Sequence, residues 1–153
     1  MDAPFNELPF AQRMEKMGDE AEGVFEAAHT EWARFGFDRP PFSIQNMPLV
    51  IRYSPDYVQE TPMRFVEVLG IGRNGLKFKL EKLRALSWWD VTMPVWLFVW
   101  SSHRQEHVEL SLSELARVID KNEVPTGRFR EGKTFFHIRP SLLPWRNSEP
   151  DPI

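Results

Sequence analysis

An α/β fold with a small mixed central sheet flanked by helices follows from three stretches of this 153-residue chain. Between Phe10 and Phe35 the apolar residues Met14, Met17, Ala21, Val24, Phe25, Ala28, Trp32 and Phe35 recur in steps of three and four, the period of an amphipathic helix. Arg64–Ile71 (RFVEVLGI) is dense in β-branched and aromatic residues and reads as a strand. Pro94–Trp100 alternates Val95, Leu97 and Val99 with Trp96, Phe98 and Trp100, so both of its faces are apolar. Such a strand is covered on two sides, as in α/β sheets.

The remaining elements fill in around these. Residues 1–9, with two prolines, form a flexible lead-in, and FDRPP (Phe37–Pro41) is a loop because paired prolines stop a helix. Leu49–Tyr53 reads as strand material, and Ser54-Pro55-Asp56 turns into a short strand, Tyr57–Gln59. Gly70, Gly72 and Gly75 make a link in which Asn74-Gly75 is a tight turn, and a second helix is expected from about Leu76 to Trp89. Val108–Leu110 is a strand end, and Ser111-x-x-Glu114 is a capping box opening a third helix to Ile119 or Asp120. A C-terminal hairpin pairs Gly127–Arg130 with Thr134–Arg139. The organisation expected is thus a lead-in (1–9), a single α/β domain (10–139) and a proline-rich extended tail (140–153), with Trp145 set to pack on the body.

Composition narrows the function. The chain has six Trp and twelve Phe, so aromatic packing dominates its core, and it has no cysteine, which excludes disulfides and zinc–thiolate sites. No apolar run reaches membrane-spanning length and the N-terminus lacks a signal-peptide pattern, so a soluble, cytoplasmic protein with no membrane partner is expected. A net charge of −3 argues against a general nucleic-acid coat, which must neutralise phosphates along its surface. From Arg73 to Arg84, however, Arg73, Lys77, Lys79, Lys82 and Arg84 face a single acid, Glu81. That run is either a solvated helix face or a local phosphate-facing patch.

Glu67 is the odd residue. It stands among Phe65, Val66, Val68 and Leu69, where an ionised carboxylate costs several kcal/mol, roughly, unless paired or metal-bound. With Asp56 it would give two hard carboxylates at a sheet edge, the donor type Mg²⁺ selects. The alternative is an exposed Glu67, or one paired with Arg64 or Arg73. Glu22, Glu26 and His29 border the apolar stripe of the first helix, where a glutamate either reaches over a sheet edge or covers the core with its methylenes.

Taken in order, Gly18-x-x-Ala21-Glu22, Pro55-Asp56 and Glu67-Val68-Leu69 resemble the motifs of the PD-(D/E)xK nuclease superfamily, nearest its Holliday-junction-resolvase and RecB-like branches, over residues 14 to 104. Leu69 stands where that family carries its lysine. The resemblance implies a restriction-endonuclease-like core and Mg²⁺- or Mn²⁺-dependent cleavage of DNA phosphodiesters. It implies that Asp56 and Glu67 bind the metal with the Val68 carbonyl and Glu22, the latter through water. The lysine has moved in some members of the superfamily, which makes Lys77, Lys79 and Lys82 the substitutes; Lys77 or Lys79, at the start of the second helix, is expected to take the role. Two rivals stand beside the enzyme: a nuclease-like domain that has lost catalysis and binds DNA or protein, and a phage structural or assembly protein. Thirteen Arg to six Lys is compatible with a phage origin, and a homodimer is left open.

Other constellations are weaker. His103-x-x-x-His107 has the i, i+4 spacing of a zinc pair but falls in a loop, and Ser101-Ser102-His103 lacks a nucleophile elbow. Trp88, Trp89, Trp96 and Trp100 could stack bases, although alternation within a buried strand makes core packing the better account.

Overall fold

The computed structural model describes residues 10–38 and 40–145; the expected lead-in and the end of the tail, from residue 146, lie outside them. In chain order the elements are α1 (Phe10–Ala28), β1 (Ala33–Arg34), α2 (Leu49–Arg52), β2 (Tyr57–Gln59), β3 (Arg64–Ile71), β4 (Leu76–Lys79), α3 (Leu80–Thr92), β5 (Val95–Ser101), β6 (Glu106–Ser111), α4 (Leu112–Lys121), β7 (Thr126–Arg128) and β8 (Thr134–Ile138). A five-stranded mixed sheet runs β1-β2-β3-β5-β6, and a smaller antiparallel sheet runs β4-β8-β7. The fold is mixed α/β, with a parallel β3–β5 pair at the centre of the larger sheet.

Period-two alternation on β3 and β5 divides the core in two. Val66 and Phe98 face α1, where they pack with Phe25 and Tyr57. Phe65, Ile71, Val95, Leu97 and Val99 face the other way, onto Leu86 of α3 and Leu115 of α4. Glu67 therefore points to the α3 side of the sheet, into the larger apolar cluster. α4 opens with the expected capping box, Ser111 Oγ accepting from the Glu114 amide at 3.1 Å. Gly75, at φ +84°, closes the turn between β3 and β4, its amide donating to the Gly72 carbonyl at 3.3 Å.

Four expected elements differ from the structure. α1 stops at Ala28, and the apolar spacing that continued past it belongs to a sheet edge: Trp32 packs edge-on against Tyr57 at 5.2 Å, and Phe35 lies 4.9 Å from Phe65. Leu49–Arg52 is one helical turn rather than a strand, started by Pro48 and held where Trp89 Nε1 donates to the Val50 carbonyl at 3.0 Å. The second helix begins at Leu80. Before it, Leu76 and Phe78 are buried and Lys77 and Lys79 point outward, a strand alternation satisfied by pairing with β8 about sixty residues away. At the far end, Pro140–Leu142 forms a 3₁₀ turn rather than an extended segment, and Trp145 is buried with Nε1 donating to the Pro140 carbonyl at 2.6 Å.

Candidate functional site

Antiparallel pairing sets Tyr57 opposite Val66, and extending that register by one residue brings Asp56 opposite Glu67 on the α3 face. Asp56 is fixed by the strand it faces: the Val68 amide donates to its Oδ2 at 2.9 Å. Its main chain is held from the other side, its carbonyl accepting from the Phe35 amide at 2.8 Å and the Gly36 amide at 3.3 Å. A Cβ at Gly36 would stand 2.6 Å from the Pro55 carbonyl oxygen, so this close approach requires glycine.

Lys82, on the first turns of α3, reaches down to the acids. Its Nζ lies 2.9 Å from Glu67 Oε2, with the two side chains 22 % and 7 % exposed. The second Glu67 oxygen, Oε1, is buried and has no hydrogen-bond partner. Burial, followed by the Glu67 charge, pushes the Asp56 carboxyl well above the usual carboxylate range, against the opposing pull of the Val68 amide and Lys82. Burial alone would lower Lys82, but the Glu67 carboxylate outweighs it and, with Asp56, holds the amine above its ordinary value and so protonated.

Glu22 meets this group through Arg34. The guanidinium grips Glu22 with both ends, Nη2 to Oε2 at 2.7 Å and Nη1 to Oε1 at 3.4 Å, while Nη1 lies 4.0 Å from Asp56 Oδ1. Arg34 also lies over the Tyr57 ring at 4.4 Å and donates to its hydroxyl at 3.0 Å, and that hydroxyl donates to Glu26 at 2.8 Å. On the α3 side, Tyr53 donates to Glu81 Oε1 at 2.5 Å, Lys133 Nζ approaches the same oxygen at 2.9 Å, and Arg52 lies 3.4 Å from Oε2.

The sequence-derived candidates are therefore distributed as follows. Asp56, Glu67 and the backbone of Val68 converge, with Val68 contributing its N–H to Asp56. Glu22 is linked to them through Arg34. Lys77 and Lys79 sit on β4 and not on a helix: Lys77 lies over the Phe135 ring at 5.4 Å, and Lys79 is 3.7 Å from Glu131. The lysine that touches the acids is Lys82. Sequence reasoning did not find Arg34, which lies on the two-residue edge strand β1. His103 and His107 do not act together: His103 Nδ1 accepts from Arg73 Nε at 3.2 Å, while the His107 ring stacks on Phe98 at 4.4 Å. Trp96 and Trp100 are half-buried on the α1 face, Trp100 Nε1 donating to Glu20 at 2.8 Å.

Asp56 and Glu67 face the single positive charge of Lys82, while Arg34 is shared among Glu22, Asp38 and Asp56, so the group holds more acid than base. The orphaned Glu67 oxygen and the raised Asp56 both express that excess, and a proton or a cation can fill it. Among the described residues no cluster of three or more His, Asp or Glu forms a ligand cage. Two carboxylates suit a hard divalent ion that keeps most of its water and takes the rest of its shell from substrate. Among the described residues no helix is long and apolar enough to cross a membrane. Comparison of the chain with family models, curated proteins and solved structures gives no match in any of the three.

Proposed function

We propose that this chain is a metal-dependent deoxyribonuclease of the restriction-endonuclease-like kind, with Asp56, Glu67 and Lys82 as its catalytic group. The observation that carries this reading is the convergence of two acids and one lysine, from the bend before β2, from β3 and from α3, on one face of the sheet, with the Glu67–Lys82 contact at 2.9 Å and a buried Glu67 oxygen left unpaired. Asp56 and Glu67 would hold Mg²⁺ or Mn²⁺. When bound, the ion would supply Lewis-acid polarisation of a phosphate oxygen and a water of lowered pKa. Asp56 is kept in one orientation by the Val68 amide, and Arg34 ties it to Glu22 and α1. Lys82 offers a fixed positive charge and hydrogen-bond donors from α3, in place of the lysine absent at Leu69. Glu67 therefore has two tasks, ligating through one oxygen and holding Lys82 through the other.

A second reading, a DNA-binding domain without catalysis, draws on the same contact: with Glu67 occupied by Lys82, the cluster can be a structural ion pair beneath a binding surface. Incubation with branched, single-stranded and duplex DNA in Mg²⁺ or Mn²⁺ separates the two. Cleavage is expected in the wild type, lost in Asp56→Ala and Glu67→Ala, lowered about 10²- to 10⁴-fold in Lys82→Ala, and kept in Lys77→Ala. DNA binding without cleavage of any substrate would instead support the non-catalytic domain. Cleavage equal in wild type and Glu67→Ala would belong to a contaminant and refute the assignment.

A further inference from the structure

A second site lies about 13 Å along β3 from Glu67, four residues at strand rise, where the parallel strands β3 and β5 end together at Ile71 and Ser101. The chain leaves β3 through Gly72-Arg73-Asn74-Gly75 and leaves β5 through a turn closed by the Gln105 amide on the Ser101 carbonyl at 2.8 Å. The end of β8 and Pro140 supply the third wall of a cavity of about 470 Å³. Its charged and titratable lining is Arg73, His103, Arg104, His137 and Arg139, with no acid. We propose that this cavity binds a phosphate-bearing ligand of about mononucleotide size, independently of the chemistry at Asp56 and Glu67.

The polar geometry is set for an acceptor. Arginine Nε can only donate, so its 3.2 Å bond fixes His103 Nδ1 as the acceptor and puts the His103 proton on Nε2. The Asn74 carbonyl can only accept, so His137 Nε2 donates to it at 2.7 Å. Ser101, nearly fully buried, accepts the Arg104 amide on Oγ at 3.0 Å, which leaves its hydroxyl proton to donate. Arg104 lies over the Trp145 ring at 5.0 Å, which steadies a guanidinium at the rim. Guanidinium groups recognise phosphate through paired N–H bonds, and several cations with no acid favour a multiply charged anion over a single carboxylate. The volume falls in the range of small-molecule sites, and the carboxyl ends of parallel strands are where open α/β sheets take their ligands.

The test is a titration of ¹⁵N-labelled protein followed by amide shifts, with four probes: inorganic phosphate, a 5′-mononucleotide, a short oligodeoxynucleotide without terminal phosphates, and acetate. Saturable shifts are expected at Arg73, Asn74, Ser102 and Arg104 with the mononucleotide. Affinity should fall about tenfold or more in Arg73→Gln and in Arg139→Gln, both exposed positions, as expected for one charge-assisted bond lost. It should be unchanged in Asp56→Ala, which separates this site from the acid pair. Shifts at these amides with the oligonucleotide but neither small phosphate would also support the pocket and assign its ligand to an internal phosphate of a strand. Acetate acting as well as phosphate, or no probe shifting these amides, would overturn it.

Discussion

On the proposed nuclease function, Asp56→Asn is expected to abolish cleavage and, at neutral pH, to make the protein more stable. The amide keeps an oxygen for the Val68 N–H, which now meets Asp56 at 2.9 Å, but removes the charge a metal ion needs. Loss of a ligand to the proposed catalytic ion should cost at least the 10²- to 10⁴-fold of a misplaced catalytic group, roughly. Stability moves the other way because burial and Glu67 already penalise the ionised Asp56. A carboxyl raised in the folded state binds more protons folded than unfolded. Its contribution to stability is therefore full below the unfolded pKa, about 4, and is lost as pH rises through the folded value. Wild type and Asp56→Asn should unfold alike near about pH 4 and diverge above it, the variant ahead by about 0.5–2 kcal/mol. Denaturant titrations across that range check it; a variant less stable at every pH would mean that the Asp56 charge is compensated in the fold.

Lys82→Met should be the most destabilising of the site substitutions. It removes the cation paired with Glu67, 7 % exposed, and breaking one partner of a buried pair typically costs about 3–5 kcal/mol. Glu67→Gln in the same background should recover much of that loss, since the buried charge goes with it. Lys77→Met, on the outward face of β4, should stay within about 0.5 kcal/mol of wild type. A Lys82→Met protein as stable as Lys77→Met would show that the 2.9 Å contact carries no net energy.

Which parts of this were legible in the sequence follows from how local their causes are. β3, β5 and the capped α4 are specified within their own residues, by both-face apolarity in β5 and by Ser111 and Glu114 in α4, and the structure has them where the pattern puts them. β4 was not legible as a strand. Its four-residue alternation Leu76–Lys79 is short, it runs directly into a helix, and the partner that makes it a strand, Phe135–Ile138, is remote. The same gap explains the choice of lysine. Read as one helix from Leu76, the stretch puts Lys77 and Lys79 nearest the acids; with the helix beginning at Leu80, Lys82 occupies its first turn and reaches Glu67. Glu67 itself stood out because a carboxylate inside an apolar strand needs a reason. Arg34 did not, since its role depends on β1 pairing with β2, a two-residue edge too short to register as a strand.

Titration of the apo protein with Mn²⁺ by calorimetry, at about pH 8 where Asp56 is more readily ionised, tests whether the two acids act as one cation site. A single saturable site is expected. It should weaken about tenfold or more in both Asp56→Asn and Glu67→Gln, and binding should release protons more strongly as the pH is lowered toward the range where Asp56 holds its proton. Mn²⁺ binding that is absent, or that both variants retain at wild-type strength, would contradict a metal site at Asp56 and Glu67.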